Sequence, residues 1–296
     1  MTPTEVLDRA RAHDTDSLSA DPAAVSEAVR FFVEAGDAGS ALELVGRAWR
    51  AWSSTGRLEE GRVAAEAALS AARGTHGVWR ARALYGDGVI AFRAGDSDRS
   101  RARNQELLDI ARATGDMRGE CDGLTGMARL ALRRGDYPEV VRLAREARKK
   151  AAAAGDPQAE APPLHLEAAG IRLQRRYDDA RRLYLESLEL NERLHNESVV
   201  AMERHNLGWV ELHRGDVDAA EAWFRERDAN SPRDAYGDAW VQLNWAAVAA
   251  ARGMVDEAKQ RFEAGRAALE RLRVRLDPDD QAEFDWLAAE AGDRSC

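Results

Sequence analysis

A glycine recurs along this chain at intervals of about forty residues, and this period limits the possible folds more than any other feature of the sequence. The recurring position is occupied, in chain order, by Gly56, Gly95, Gly135, Arg175, Gly215 and Gly253. Successive steps are 39, 40, 40, 40 and 38 residues. A sustained period of this length is typical of a repeat array, in which each unit buries its apolar face by stacking on its neighbours.

The residues around the recurring position predict two helices in each repeat. Glycine adopts the left-handed conformation that ends a helix without a Cβ clash, and an aspartate such as Asp96 begins the next helix by accepting free N–H groups. A small residue stands seven positions before the glycine and another five after it, and an apolar or aromatic residue nine after it, as in Gly208, Gly215, Ala220 and Phe224. Small residues allow the two helices of a pair to pack closely.

This order of small residue, glycine, alanine and aromatic residue resembles the tetratricopeptide repeat (TPR). A unit of about 40 residues, instead of the usual length of about 34, resembles the longer variant found in bacterial regulators. The segment from Ser40 to Leu69 is similar to the start of the sensor region of AfsR- and MalT-like regulators and their ATPase relatives. The resemblance covers roughly residues 22–270. Two positions depart from the pattern, because Asn104 replaces the aromatic residue of the second unit and Arg175 replaces the fourth glycine.

The sequence therefore predicts an all-α fold, and the resemblance implies a right-handed TPR-like α-solenoid of about six helix pairs with capping helices. We expect a single domain over residues 1–296, which corresponds to the sensor arm of such regulators alone. Within it, residues 1–54 hold the N-terminal helices and cap, residues 40–270 hold the repeats, and residues 276–292 form a C-terminal capping helix. That last helix carries one narrow apolar stripe that would seal the final repeat, formed by Phe284, Leu287, Ala288 and Ala291.

Charge and composition exclude several classes of protein. The formal net charge is -9, which argues against direct binding of nucleic acid over the whole surface. No apolar run is long enough for a membrane helix, and the charged N-terminus is not a signal peptide. Neither Cys121 nor Cys296 belongs to a disulfide or CxxC pattern, so we expect a cytoplasmic protein. All but three of the 43 basic residues are arginine, which suggests a bacterial genome rich in GC, such as that of an actinomycete.

A binding groove is expected on the first helices of the pairs. In a TPR stack these helices line the concave face, so the resemblance implies that positions 13, 10, 6, 3 and 2 before the glycine point inward. Asp122 is among them, and the predicted groove residues are Arg50, Arg82, Tyr85, Phe92, Arg93, Arg129, Arg133, His165, Arg172, His205, Trp209, His213 and Trp240. Arginine presents a fork of donors that suits carboxylates and phosphates, and aromatic rings offer stacking faces. The alternative is that a residue such as Trp209 packs between helices.

These residues predict a protein- or peptide-binding scaffold with a regulatory role. Its partner would be a protein or peptide, with an acidic or carboxylate-bearing segment, or an anionic small molecule. A second hypothesis is a small-molecule or peptide sensor of a bacterial, actinomycete-like regulatory system. A third is an unorthodox TPR-fold enzyme of secondary metabolism, whose acid–base chemistry would depend on His205, His213 or Glu203.

The motifs assign no catalytic residue, metal or cofactor. Residues 86–91 match a GxGxxA string, but they lie inside a helical segment, whereas a dinucleotide site needs a strand before the glycines. His205 and His213 are two helical turns apart, about 12 Å along the axis, so they cannot bind one ion together. The sequence therefore favours binding over catalysis.

Overall fold

The computed structural model describes residues 1–230, 235–272 and 276–292, which form sixteen α-helices and contain no strand. The helices are α1 (Pro3–Arg11), α2 (Thr15–Ala20), α3 (Pro22–Glu34), α4 (Ala38–Ser54), α5 (Leu58–Ala71), α6 (Val78–Arg93), α7 (Ser97–Thr114), α8 (Met117–Arg133), α9 (Tyr137–Ala154), α10 (Pro157–Leu173), α11 (Tyr177–Arg193), α12 (Glu197–Arg214), α13 (Val217–Asn230), α14 (Ala235–Ala251), α15 (Val255–Leu272) and α16 (Pro278–Gly292). From α4 to α15 they follow one another as six pairs, which confirms the predicted all-α repeat.

The chain divides into two compact units. Unit 1 contains Met1–Leu130 and Glu146–Glu160, and unit 2 contains Ala131–Arg145 and Ala161–Cys296. The single domain expected over residues 1–296 stays a prediction. No helix in the described parts of the chain is long and apolar enough to cross a membrane.

The recurring glycine position ends the first helix of every pair in the left-handed conformation. Its φ is +74° at Gly56, +84° at Gly95 and Gly215, and +73° at Gly135 and Gly253. Arg175 takes the same conformation with φ +60°, although it has a Cβ. The turn geometry is therefore kept in the one repeat that lacks the glycine, at a cost of roughly 1 kcal/mol for the strained backbone.

Close approach between helices depends on glycine at several contacts. In unit 1, a Cβ at Gly86 would lie 2.7 Å from Cβ of Trp49, which brings α6 directly against α4. In unit 2, a Cβ at Gly208 would lie 2.2 Å from Cε1 of Phe224, a fully buried ring of α13. Each site excludes any larger residue unless the helices move apart.

The buried residues follow the predicted periodicity, with one polar exception. Tyr184 and Phe224, nine positions after the recurring position, are fully buried. Asn104 stands at the equivalent place in α7, and it is also buried. Its Nδ2 donates to the carbonyl of Ser100 at 2.8 Å, and the Oγ of Ser100 donates to the carbonyl of Gly88 at 2.9 Å. The amide of Asn104 can replace an aromatic ring at this buried position because its polar group has hydrogen-bond partners nearby.

Cys121 is a buried thiol in α8. Its Sγ donates to the carbonyl of Ala159 at 3.3 Å, and burial raises its pKa to about 12. A thiol in this state is a poor nucleophile at neutral pH. Cys296, and the side chain of Ala291 in the predicted apolar stripe, lie outside the residues that the structure describes.

Replacing Arg175 with glycine should stabilise the protein by about 0.5–1 kcal/mol. The substitution removes the left-handed strain, and the greater entropy of glycine in the unfolded chain offsets part of the gain. Denaturant unfolding measures the change. Arg134→Gly is the control, because Arg134 has no positive φ, and it should give no gain. An equal or lower stability of Arg175→Gly would contradict the strain argument.

Replacing Gly208 with alanine should destabilise the protein by about 1–3 kcal/mol, because the new methyl group would overlap the buried ring of Phe224. The matched control is Gly39→Ala in α4, where the nearest atom to an added Cβ is 3.5 Å away. That change should be neutral or stabilising by up to ~1 kcal/mol, since alanine is the better helix former. Thermal unfolding of both variants tests the difference, and equal effects would refute it.

Candidate functional site

The predicted groove residues all lie on the first helices of the pairs, and they divide between the two units. Unit 1 contains Arg50, Arg82, Tyr85, Phe92, Arg93 and Arg129. Unit 2 contains Arg133, His165, Arg172, His205, Trp209, His213 and Trp240. That these residues form a binding site stays a prediction, and the two groups are in different electrostatic states.

In unit 1, aromatic rings position one of the arginines. The ring of Trp49 meets that of Tyr85 edge to face, with centroids 5.7 Å apart. The guanidinium carbon of Arg50 lies 4.3 Å from the centroid of the Trp49 ring. Such a cation–π contact orients a guanidinium while leaving its N–H groups able to donate elsewhere.

Two arginines of unit 1 are paired with carboxylates. Arg82 Nη1 donates to Asp122 Oδ2 at 2.5 Å, and Arg118 Nε donates to the other oxygen of Asp122 at 3.1 Å. Arg118 also pairs with Asp156. Arg118 was missed by the sequence reasoning, because it lies one turn before the first position that was expected to point inward. The sequence feature that could have identified Arg118 is its spacing of four residues from Asp122, which places both side chains on one face of the helix.

The other three predicted groove arginines of unit 1 have no carboxylate partner in the part of the chain that the structure describes. Arg50 and Arg93 are exposed, and Arg129 is half-buried. Arg93 Nη1 contacts Ser53 Oγ at 3.5 Å, at the limit of a hydrogen bond. Arg129 Nη1 is buried without a hydrogen-bond partner among the described residues. We call Arg50, Arg82, Arg93, Arg118 and Arg129 the arginine face; three of its five positive charges are unneutralised.

In unit 2, the helix α16 covers the equivalent face. Glu283 of α16 pairs with Arg172 of α10 and accepts a hydrogen bond from Nε2 of His213 at 2.6 Å. Arg172 also lies 3.5 Å from Asp279. Both Arg172 and Glu283 are almost completely buried. The terminal helix therefore extends beyond the last pair and reaches side chains of α10 and α12, which the prediction of a simple cap on the last repeat did not foresee.

A second carboxylate of α16 lies against α12 and α14. Asp280 accepts from the hydroxyl of Tyr236 at 2.5 Å, and its other oxygen lies 3.7 Å from Nε2 of His205. Burial and the adjacent carboxylate raise the pKa of Tyr236. Burial alone would raise the pKa of Asp280, but the nearby His205 imidazole and the hydrogen bond from Tyr236 lower it overall. Asp280 is therefore held ionised.

Aromatic rings also contribute to the packing of α16 on unit 2. Trp286 of α16 meets the ring of Trp209 edge to face at 5.8 Å, and that of His213 at 5.2 Å. The other face of His213 stacks on Tyr177 at 5.0 Å. Trp209 and Trp240 are 0% and 2% exposed, so both are interior residues beneath α16.

A pair formed by a half-buried histidine and a buried carboxylate lies next to this region. Nδ1 of His165 is 3.1 Å from both carboxylate oxygens of Glu203, which is fully buried and also accepts from Ser187 Oγ at 2.5 Å. Burial alone would lower the pKa of His165, but Glu203 raises it above its ordinary value. His205 differs, since burial lowers its pKa despite Asp280. The pKa values of the two imidazoles, which occupy equivalent positions in neighbouring repeats, are therefore shifted in opposite directions.

No group of three or more His, Cys, Asp or Glu side chains within the described residues is arranged to hold a metal ion. Of the candidates named for acid–base chemistry, His205 and Glu203 are buried and His213 is half-buried, and each contacts other side chains of the protein. Arg133 of unit 2 is half-buried. The geometry therefore presents carboxylate recognition more clearly than a reaction centre.

The His165–Glu203 pair predicts a pH dependence. Because the pKa of His165 is raised, its stabilisation is complete below about pH 6.5, the ordinary histidine value, and is lost as the pH rises through the raised pKa. Histidine NMR titration should find His165 titrating above this value and His205 below it. Glu203→Gln should lower the pKa of His165 and leave that of His205 nearly unchanged. A titration of His165 below its ordinary value would contradict the pairing.

Comparison with known proteins identifies the repeat. A family model described as tetratricopeptide repeat matches residues 160–227. A search of curated proteins finds no match. Among solved structures, a Rap protein complexed with competence and sporulation factor superposes with a TM-score of 0.64 at 13% identity, covering 96% of this chain and 78% of that one.

Two further structures have the same arrangement. The Rap conjugation gene regulator of plasmid pLS20, in complex with the Phr* peptide, has a TM-score of 0.56 at 11% identity, covering 92% of this chain and 80% of that one. A signal-transduction ATPase with a TPR sensor from Pyrococcus horikoshii has a TM-score of 0.59 at 12% identity, covering 90% of this chain and 42% of that one. These matches confirm the predicted TPR-like fold.

Proposed function

We propose that this tetratricopeptide-repeat-like protein is a binding module that holds an acidic peptide or protein segment on the arginine face of unit 1. The observation that carries the proposal is the set of three arginines, Arg50, Arg93 and Arg129, without a carboxylate partner among the described residues. They lie on three consecutive first helices, α4, α6 and α8.

The chemistry of this face suits carboxylates. A guanidinium donates two parallel N–H groups to one carboxylate, and such charge-assisted pairs are about twice as strong as neutral hydrogen bonds. Arg50 is oriented by the Trp49 ring, and Arg82 and Arg118 are fixed by Asp122. Because these neighbours are already held, less side-chain entropy is lost when a ligand binds. The aromatic rings of Tyr85 and Phe92 add apolar area beside the charges.

A positive face in a protein of net charge -9 is also selective. The surrounding acidic surface repels polyanions as long as nucleic acid, whereas a short segment meets only the local charge within a Debye length of about 8 Å. The likeness to a Rap regulator in complex with the Phr* peptide supports a peptide as the ligand class. The proposal places the module in a bacterial cytoplasm with a regulatory role, as one domain over residues 1–296.

A sensor of a bacterial regulatory system is the second candidate. The likeness to an ATPase that carries a TPR sensor favours it. In this case the arginine face would bind an anionic small molecule or a signalling peptide, and the same residues would be used. Binding of an anionic small molecule in the absence of any peptide would favour the sensor.

Removing two unpaired arginines should abolish most of the binding. An array of fluorescent 15-residue peptides of varied charge identifies the best ligand, and we expect it to be enriched in Asp and Glu. Arg50→Ala combined with Arg129→Ala should then weaken its affinity at least about tenfold, or ~1.4 kcal/mol, when measured by fluorescence anisotropy. The reason is the loss of two charge-assisted contacts.

The matched control is Arg73→Ala combined with Arg101→Ala. Both residues are exposed in unit 1, and neither is on the first helix of a pair. This variant has the same net charge as the Arg50/Arg129 variant. It should bind like the wild type. Unchanged affinity of the Arg50/Arg129 variant, or an array without acidic preference, would refute the proposal.

A further inference from the structure

The contacts of α16 resemble those of a bound ligand. Its three inward carboxylates, Asp279, Asp280 and Glu283, occupy positions i, i+1 and i+4 of one helix face. Each lies against a cation, an imidazole or a hydroxyl of unit 2. Asp285, two residues after Glu283 and therefore on the opposite side of the helix, is exposed. The acidic residues that contact the repeats are thus separated from those that face solvent.

The receiving surface is built from three different repeats. We call it the α16-binding face, and it consists of Arg172, His205, Trp209, His213 and Tyr236. Its side chains reach α16 from α10, α12 and α14. Arg172 and Glu283 are 111 residues apart in the sequence, so the contact is not part of the repeat packing.

Both apolar and polar contacts hold α16 on the repeats. Leu287 is its one fully buried apolar side chain in the described part of the helix, while Phe284 and Trp286 are half-buried. Burying several carboxylates carries a desolvation penalty that offsets much of the ion-pair attraction. On the receiving side, the Tyr184 hydroxyl and Nδ1 of His205 are buried without a partner among the described residues. The desolvation penalty and the unpartnered polar atoms both reduce the net free energy that holds α16 in place, which favours its exchange.

Exchange of α16 requires another helix that supplies carboxylates to the same side chains. Arg172 is 2% exposed, and leaving a buried charge without its partner costs about 3–5 kcal/mol. Departure of α16 into solvent is therefore disfavoured, whereas replacement of its carboxylates by those of another helix preserves every ion pair. The incoming helix must also carry an aromatic ring in place of Trp286, because Trp209 and His213 pack against that ring.

We infer that α16 is an internal ligand on a second binding site, and that a partner protein binds there by inserting an acidic amphipathic helix in its place. The partner helix carries carboxylates at positions 1, 2 and 5 and an aromatic residue at position 8, the spacing of Asp279, Asp280, Glu283 and Trp286. The site uses none of the residues of the arginine face, so this inference and the proposed function can fail independently.

A peptide competition on the full chain tests the inference. The probe is a fluorescein-labelled peptide with the sequence of residues 276–292. Glu283→Gln weakens the internal helix but leaves the α16-binding face intact. We expect faster hydrogen exchange in α16 with unchanged protection in α12–α15, and peptide affinity about tenfold tighter than for the wild type, because the face is free for a larger fraction of time.

Two controls make the result specific. Asp285→Asn removes the same charge from the exposed side of α16, and it should match the wild type in both measurements. A peptide in which the three inward carboxylates are replaced by Asn, Asn and Gln should not bind. The gain in Glu283→Gln should also persist when Arg50→Ala and Arg129→Ala are added, which separates this site from the arginine face.

Every other outcome overturns the inference. If α16 of Glu283→Gln exchanges faster but the peptide does not bind, the face is not a binding site. If α16 stays protected, its carboxylates do not hold it. If all of unit 2 loses protection together, α16 is an inseparable part of the fold. If light scattering finds a dimer, the occupant is the α16 of a second copy.

Discussion

Close contact between successive first helices is the constraint on which the remaining structure depends. Glycine at positions such as Gly46 and Gly86 brings α6 against α4 with no room for a Cβ. Residues one repeat apart then become neighbours: the partners of Arg82 and Arg93 are 40 residues away, and the partner of His165 is 38 residues away. The period of the sequence is therefore also the period of its side-chain contacts, and each repeat positions the polar groups of the next.

The sequence predicted those features that repeat. The turn glycines, the buried aromatic residues and the all-α pairs follow from local rules that apply identically in every unit, and Arg175 shows that the turn geometry persists even where the preferred residue is absent. Asn104 was not predicted as a buried residue. Its amide finds hydrogen-bond partners only because Ser100 lies one turn away, and it finds space because glycines lie beside it. The repeat pattern of the sequence does not show which hydrogen bonds allow a polar residue at an apolar position.

The packing of α16 on the first helices of unit 2 could not be predicted from the sequence, for a different reason. The stripe of Phe284 and Leu287 identifies α16 as amphipathic, but periodicity does not specify what an amphipathic helix packs against. The acidic residues at 279, 280 and 283 read as solvent-exposed in the sequence, since buried carboxylates are rare. Only their matched cations, more than 100 residues away for Arg172, reveal that they face inward.

The contrast between the units has an electrostatic origin. On the arginine face of unit 1, Asp122 and Asp156 neutralise Arg82 and Arg118, and the other three arginines keep an unneutralised charge. In unit 2, the carboxylates of α16 and Glu203 match the cation and the imidazoles almost one for one. The same repeat scaffold thus supports both an open and an internally neutralised surface.

The edge-to-face pair of Trp209 and Trp286 makes the position of α16 observable without a label. Two indoles fixed at 5.8 Å and 89° within an asymmetric interior couple their electronic transitions, and the resulting near-ultraviolet circular dichroism disappears once the rings separate. The adjacent His213 ring, 5.2 Å from Trp286, adds a quencher of indole emission. The protein therefore contains its own optical reporter of whether its terminal helix is in place.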